Sequence, residues 1–410
     1  MKKLNFENIN LFLLSVLPIS IVLGSTISLI TIFLMCIMCI YFIFIQKSIR
    51  YLLFDKTIIL FFIIYIYLLF NSFISLDIQS GLARNLGFIR FIFLFIIINY
   101  IFRIEKNQKI IFKNWFLIII LILFDAFIEI FSGRNILGYG ELYGNRIVSF
   151  FKDEPVLASF LNGFIFILSG YLLTNFKNQN IYYKIFSALT VILFILCVVL
   201  TGERSNTLKL LFGIVLFFSI NKYFGTKIKT YFIITLLSVV IFTISSSDYL
   251  KLRFVTQVKN SVLAAEAQEQ VYFNLYKSGF EVFKNFPVFG VGNKNYRVET
   301  CNIEKLIKYE NYSCNTHPHQ IYIEFLSEHG ILGSIILLSI FFYLIFRHIR
   351  VIIFSKNLPQ LGSFVYLITI FLPLLPSGAF FNDFNSTLFW INLSILYSLN
   401  SKTNIFRKSQ

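Results

Sequence analysis

The sequence predicts an all-α polytopic membrane protein of about 12 transmembrane helices, with a large, partly helical loop between helices 9 and 10. Three observations carry this. Of 410 residues, 57% are hydrophobic and only 14% charged, against roughly a quarter charged in an ordinary soluble domain. Apolar runs of about 20 residues, the length a membrane crossing needs, recur along the chain. Lys and Arg gather in alternate connections between those runs.

The runs lie near 9–25, 27–46, 57–75, 86–102, 115–132, 155–173, 183–201, 206–221, 230–247, 329–346, 360–377 and 385–400. In lipid the backbone must satisfy its own hydrogen bonds, so each run reads as a helix. Met1, Lys2 and Lys3 lead into the first run, and no small-residue cleavage site of a secretory signal follows. Gly24-Ser25 reads as a tight hairpin between the first two runs. With the N-terminus in the cytoplasm, the inner segments carry Lys2 and Lys3; Lys47, Arg50 and Lys56; Arg103, Lys106, Lys109 and Lys113; Lys177 and Lys184; Lys222, Lys227 and Lys229; Arg347, Arg350 and Lys356; and Lys402, Arg407 and Lys408. The short outer loops hold only Arg84, Arg134, Arg146, Lys152 and Arg204. Both termini are therefore expected in the cytoplasm. The same asymmetry accounts for the net charge of +16 without a nucleic-acid partner. No internal repeat is visible, so sequence symmetry gives an inverted-repeat transporter no support.

The runs divide the chain into residues 1–247 with nine spans, an outer loop over 248–328, and residues 329–410 with three spans and a cytoplasmic tail. A loop of about 80 residues is functional or disordered as a rule. The spacing of Val271, Leu275, Phe280, Val282, Phe283 and Phe286 predicts an ordered helix near 262–286, lying on the membrane-facing surface. A turn-rich stretch, Pro287-Val-Phe-Gly-Val-Gly292, follows it. Cys36, Cys39 and Cys197 fall inside runs and read as small apolar side chains. Cys301 and Cys314 share the loop, where an oxidising compartment would allow a disulfide beside His317 and His319.

Three of the four histidines fall within His317-Pro-His319-Gln-Ile-Tyr-Ile-Glu-Phe-Leu-Ser-Glu-His329. A His pair lacks the third ligand that zinc needs, so metal is the weaker reading and solvated loop histidines the bland one. On a helix, Gln320, Glu324 and Glu328 share one face, and Gly330 and Gly333 allow close packing. An imidazole at the mouth of a span, beside a polar stripe, is suited to accept a proton from a hydroxyl. A second constellation is Thr201-Gly-Glu-Arg204-Ser-Asn-Thr-Leu208, with Lys209 next. A guanidinium there can fork two hydrogen bonds to a phosphate at head-group depth, or simply snorkel among lipids. Arg90, Asp125 and Glu129 lie within runs, where a structural ion pair of Arg90 with one of the carboxylates is expected. Arg134 and Arg146 flank a Gly- and Tyr-rich loop that suits a mobile cover.

The pattern His319-Gln320-x9-Gly330-x-x-Gly333, preceded by Arg204-x-x-x-Leu208, resembles the O-antigen ligase and polymerase family of bacterial envelope enzymes. Pro287-Val-Phe-Gly290-Val-Gly292 resembles that family's Pro-Leu-Phe-Gly-x-Gly turn, and the layout of spans matches nearly end to end. The resemblance implies an inverting, metal-independent glycosyltransferase of the bacterial inner membrane, with its site facing the periplasm and no cofactor. Its donor would be a glycan on undecaprenyl pyrophosphate. Its acceptor would be lipid A–core in a ligase, another lipid-linked repeat unit in a polymerase, or a protein hydroxyl in a third type. Arg204 would hold the pyrophosphate and His319 would activate the acceptor. Family members often carry a second arginine ahead of the Pro-Leu-Phe-Gly turn. Here that neighbourhood, Glu269 to Lys277, has none. Lys277, Arg253 or Arg297 would then take its place, and His317, Arg146 and Lys209 are further candidates for pyrophosphate or acceptor binding. The rival from another class is a flippase or transporter for lipid-linked sugars.

Overall fold

A computed structural model describes residues 2–45, 52, 54–140, 146–152, 154–174, 176–259 and 271–406. Lys47, Arg50, Arg407, Lys408, the middle of the cover loop at 141–145 and the first part of the helix expected over 262–286 lie outside the described residues. In chain order the helices are α1 (Lys2–Val22), α2 (Ser25–Ile45), α3 (Lys56–Phe73), α4 (Ile78–Gly87), α5 (Ile89–Ile101), α6 (Glu105–Ser132), α7 (Leu157–Leu173), α8 (Ile181–Leu200), α9 (Arg204–Ile220) and α10 (Thr226–Ser246). Then come α11 (Asp248–Lys251), α12 (Val271–Asn285), α13 (Tyr296–Thr300), α14 (Ile303–Lys308), α15 (Ile321–Phe346), α16 (Ile349–Phe354), α17 (Leu358–Ile370) and α18 (Asp383–Ser398). No strand occurs among the described residues. The fold is all-helical, as expected.

Each apolar run read from the sequence falls on helix. Seven helical stretches are long and apolar enough to cross a membrane: Ser25–Ile43, Lys56–Phe73, Ile78–Ile101, Glu105–Ser132, Ile181–Leu200, Thr226–Ser246 and Ile321–Phe354. Phe6–Val22, Leu157–Leu173 and Leu358–Ile370 are apolar but shorter. The other two runs became α9 and α18, of 17 and 16 residues. Helix α18 is buried on every side from Ser386 to Ser398. Its mid-helix Asn392 therefore needs a protein partner, and donates to Gly163 O at 2.9 Å.

Helices α7, α17 and α18 form the centre. They meet through glycines: a Cβ on Gly170 would lie 2.4 Å from Leu358 O, and one on Gly362 2.2 Å from Phe166 O. Small residues let these backbones touch, which stands in for hydrophobic drive inside lipid. Helix α10 lies at the other extreme, with Tyr231, Ile241 and Phe242 exposed to what would be acyl chains.

Two expectations need correction. Arg90 on α5 pairs with Asp383 at the head of α18, not with Asp125 or Glu129. Those two carboxylates hold the chain that follows α6. Asp125 accepts from Ser149 Oγ at 2.5 Å and from Ile136 N at 3.0 Å, and Glu129 accepts from Ser149 N at 2.6 Å and Val148 N at 3.0 Å. Buried amides of an irregular loop need acceptors, and these carboxylates are the ones within reach. Nor does the run at 360–377 continue as helix. It stops at Ile370, where Pro373 and Pro376 remove amide donors and clash with the preceding turn. Residues 371–382 instead form an irregular loop, buried at Phe371, Phe380 and Phe381 and exposed at Pro373, Leu374 and Gly378.

The segment after α10 folds around its own small core of Val282, Val291, Tyr296 and Tyr312. The Tyr312 hydroxyl donates to Glu299 Oε1 at 3.0 Å and accepts from Asn285 Nδ2 at 2.9 Å. Burial pushes that phenol's pKa up. Lys305 pairs with the buried Glu299. Cys301 and Cys314 are joined by a disulfide. In non-reduced protein neither thiol should take maleimide, and both should after reduction; free labelling without reductant would refute the bond. Helix α12 crosses the start of α15, where a Cβ on Gly279 would lie 2.4 Å from Ile323 and 2.7 Å from Pro318. That contact seats the histidine pair.

Candidate active site

The turn at Pro287–Gly292 and the break in α15 are one backbone joint. At Gly330 the helix leaves helical geometry, with φ +62° and ψ −170°. The freed groups pair with the turn: Val291 N donates to Ser327 O at 3.0 Å, Gly292 N to Glu328 O at 2.9 Å, and Ile331 N to Pro287 O at 2.8 Å. A Cβ on Gly290 would lie 2.4 Å from the Glu328 and His329 backbone, and one on Gly330 2.3 Å from Val288. Gly330 was expected to ease helix packing. It breaks the helix instead, because two backbones hydrogen-bond where a side chain would stand. Gly333 does meet a helix, with Tyr67 of α3 against it.

Above this joint His319 sits at φ +55°, in the left-handed region. Its carbonyl accepts from Ser377 N at 2.9 Å. His317 Nε2 lies 3.3 Å from Ser377 O, and its Nδ1 2.9 Å from Thr316 Oγ1. A carbonyl only accepts, so Nε2 carries the proton and Nδ1 accepts from the hydroxyl. Burial, aided by neighbouring His319, pulls the His317 imidazole down to about 4. His317 is thus a neutral strut whose ring packs 3.9 Å from that of His319. Burial also lowers His319, partly offset by the Ser377 backbone. The His319 ring lines a cavity of about 270 Å³ with Glu203, Asn206, Lys209, Tyr272 and Ser377.

An adjoining cavity of about 280 Å³ is lined by Arg146, Arg204, Arg253, Leu208 and Val258. The two cavities share Pro155, Glu203, Ser205, Tyr272 and Pro376 as a common wall. Arg204 is the first residue of α9. A cation there opposes the helix dipole, which marks the position as serving something other than helix stability. Arg253 Nη2 donates to Gly202 O at 3.2 Å and its Nη1 to Gln257 Oε1 at 2.8 Å. Burial, then the like charge of Arg146, lowers the Arg253 pKa. Three guanidinium groups around one hollow, with Glu203 the carboxylate in their wall, make a site for an anion with several oxygens.

The structure thus brings Arg204, Arg146, Arg253, Lys209 and His319 around one pair of cavities, with His317 behind. It does not bring Lys277 or Arg297 there. Lys277 lies over Phe273, 4.7 Å from the ring centre, and Arg297 sits on α13, lining neither cavity. Glu324 and Glu328, read as a polar stripe, are fasteners: Glu324 accepts from Phe380 N at 2.9 Å, and Glu328 from Tyr296 N at 3.5 Å. His329 is fully buried among Tyr67, Phe325 and Phe381. Among the described residues no three His, Cys, Asp or Glu side chains are grouped to hold a cation.

Sequence reasoning passed over Glu203 and the loop at 371–382. Glu203 caps α9 and accepts from Ala158 N at 2.9 Å and Asn206 Nδ2 at 2.7 Å. Burial pushes its carboxyl up to about 7, against the pull of those donors and of Arg146 and Arg253. Its place one residue before Arg204 was the available signal. The loop is held by Lys209 Nζ on Pro376 O at 3.3 Å, Tyr276 Oη on Leu374 O at 3.3 Å and Tyr322 Oη on Phe371 O at 2.7 Å.

Fold and cavities together define a multi-pass helical membrane protein whose polar site combines an arginine-lined hollow with a half-buried imidazole. The family model described as O-Antigen ligase matches residues 189–338, a stretch that includes Arg204, the Pro287–Gly292 turn and His319 through Gly333. Over that stretch the chain is similar to the O-antigen ligase family, as its motifs indicated. No curated protein matches the chain.

Proposed function

We propose that the protein transfers a glycan from undecaprenyl pyrophosphate to a sugar hydroxyl of lipid A–core, in lipopolysaccharide synthesis at the periplasmic face of the bacterial inner membrane. The chain crosses that membrane twelve times with both termini in the cytoplasm. The observation that carries this reading is the shared wall between the arginine-lined cavity and the cavity of His319. Arg204, Arg146 and Arg253 hold the pyrophosphate. His319 accepts the proton of the acceptor hydroxyl as that oxygen bonds the anomeric carbon. The bond from that carbon to the pyrophosphate oxygen breaks on the opposite face, so configuration inverts and undecaprenyl pyrophosphate leaves as an anion. Guanidinium charge at the departing oxygens does the work that a divalent metal does elsewhere.

The first test is reconstitution with a lipid-linked repeat unit and either lipid A–core or the repeat unit alone. Glycosylated lipid A–core supports the ligase, whereas lengthened repeat units with no core product identify a polymerase on the same chemistry. Transport of lipid-linked sugar that survives His319→Ala, with no new glycosidic bond, identifies a flippase. Arg204→Ala should lower kcat/KM by about 10²–10³-fold, with Arg204→Lys restoring only part, since an ammonium cannot fork. Full turnover should persist in EDTA; a strict requirement for added metal would overturn the mechanism.

A further inference from the structure

A third cavity, of about 340 Å³, continues the row beyond His319. It shares Glu154, Val156 and Phe384 with the His319 cavity, and runs to the α1–α2 hairpin at Gly24 and Ser25. The three hollows therefore form one trench, with the arginines at one end and the hairpin at the other. The chemistry changes along it. Beside Glu203 and Lys209, the His319 cavity carries the amide and hydroxyl groups of Asn162, Asn206, Asn382, Asn385, Ser159 and Ser377; the third adds apolar Ile21, Val22, Phe150 and Phe151 with the charged Lys152, Glu154 and Asp383. Asn162 is 4% exposed, and its Oδ1 has no partner while its Nδ2 donates to Asn206 O at 2.9 Å. The Ser377 hydroxyl likewise has none. An orphaned buried carbonyl on a cavity wall calls for a donor from whatever fills the cavity. Phe384 is half-buried at the junction, its ring centre 6.2 Å from that of Phe151. Amides, hydroxyls and an open aromatic face are what a neutral, hydroxyl-rich ring requires, and a guanidinium cluster is not.

We infer that the trench from His319 to the α1–α2 hairpin is the acceptor subsite, and that it binds a neutral saccharide of a few rings, with its reacting hydroxyl at His319. This rests on the reading that the arginine cavity takes the pyrophosphate. The same sugar chemistry is found on lipid A–core and on a lipid-linked repeat unit, so both serve as probes. Glu154 is exposed, whereas Cys36, Cys39 and Cys197 are buried and Cys301 and Cys314 bonded. A thiol placed at residue 154 or 159 can therefore be labelled alone.

In the detergent-solubilised full chain without reductant, maleimide labelling of Glu154→Cys and Ser159→Cys should slow at least fivefold with lipid A–core or with the repeat unit. Bare undecaprenyl pyrophosphate should leave it unchanged. Whichever acceptor protects identifies the source of the saccharide. In turnover, Glu154→Gln should raise acceptor KM about tenfold, the effect of one or two lost hydrogen bonds, and leave donor KM unchanged. Protection by bare undecaprenyl pyrophosphate would make the trench a donor site and overturn the inference. Absence of protection by either saccharide would overturn it too, and would leave the pyrophosphate reading standing if Arg204→Ala still weakens undecaprenyl pyrophosphate binding. Unaltered undecaprenyl pyrophosphate binding in Arg204→Ala would refute that underlying reading instead.

Discussion

His319→Ala should reduce glycan transfer by about 10³-fold while leaving binding of undecaprenyl pyrophosphate intact. General-base assistance contributes on the order of 10²–10⁴-fold, and the arginines proposed to hold the donor line the adjoining cavity. The pH profile gives a second readout. A general base must be neutral, and burial lowers the His319 pKa below its ordinary 6.5. kcat/KM should therefore be flat around neutral pH and fall only on the acid side of 6.5. A rate still rising between pH 7 and 9 would point to a different base. His317 adds a stability effect with its own sign. Its folded pKa of about 4 lies below the unfolded 6.5. From 6.5 down to about 4 the unfolded imidazole binds a proton that the folded one does not, so stability falls across that window and is level above it. His317→Gln should flatten that slope.

Gly330→Ala should destabilise the fold by roughly 3–5 kcal/mol, enough to leave little folded protein in detergent. Two costs combine. The φ of +62° with ψ of −170° is a conformation reserved to glycine. The new methyl would also sit 2.3 Å from the Val288 carbonyl, and backbone cannot move aside as a flexible side chain can. Gly225→Ala is the control, because nothing lies within 4 Å of a Cβ there and its φ is ordinary. Thermal unfolding followed by fluorescence should separate the two by many degrees. Equal melting temperatures would mean that the joint between Pro287–Gly292 and α15 contributes nothing to stability.

The all-helical class was legible because lipid leaves the backbone few choices, and length with apolarity reports that directly. The central helix shows the limit of this signal. Hydropathy measures contact with lipid, and α18 has none from Ser386 to Ser398, so its Asn392 is answered by Gly163 rather than by sequence pattern. Pairings across the bundle were also hidden. Asp383 lies nearly three hundred residues from Arg90, and no local rule prefers it to Asp125 or Glu129. In the site, His319 and Arg204 stood out because charge and imidazole are scarce in so apolar a chain. Arg253 was one of three cations offered for one role, and only folding separates it from Lys277 and Arg297. Glycine's part in Gly330 was visible as a need for space, but not as a break. The residue type says that a side chain is excluded, and only the partner backbone says why.

The clasp on Ser377 has a consequence for the order in which this protein is made. The carbonyl of His319 and the ring of His317 both close on the peptide groups of Ser377, which the ribosome adds some sixty residues after them. Until that stretch has been inserted, the imidazole has no far wall and Lys209 no carbonyl at Pro376 to grip. A nascent chain that stops short of that stretch can thus settle its first helices, joint and disulfide included, while the wall around His319 is still incomplete.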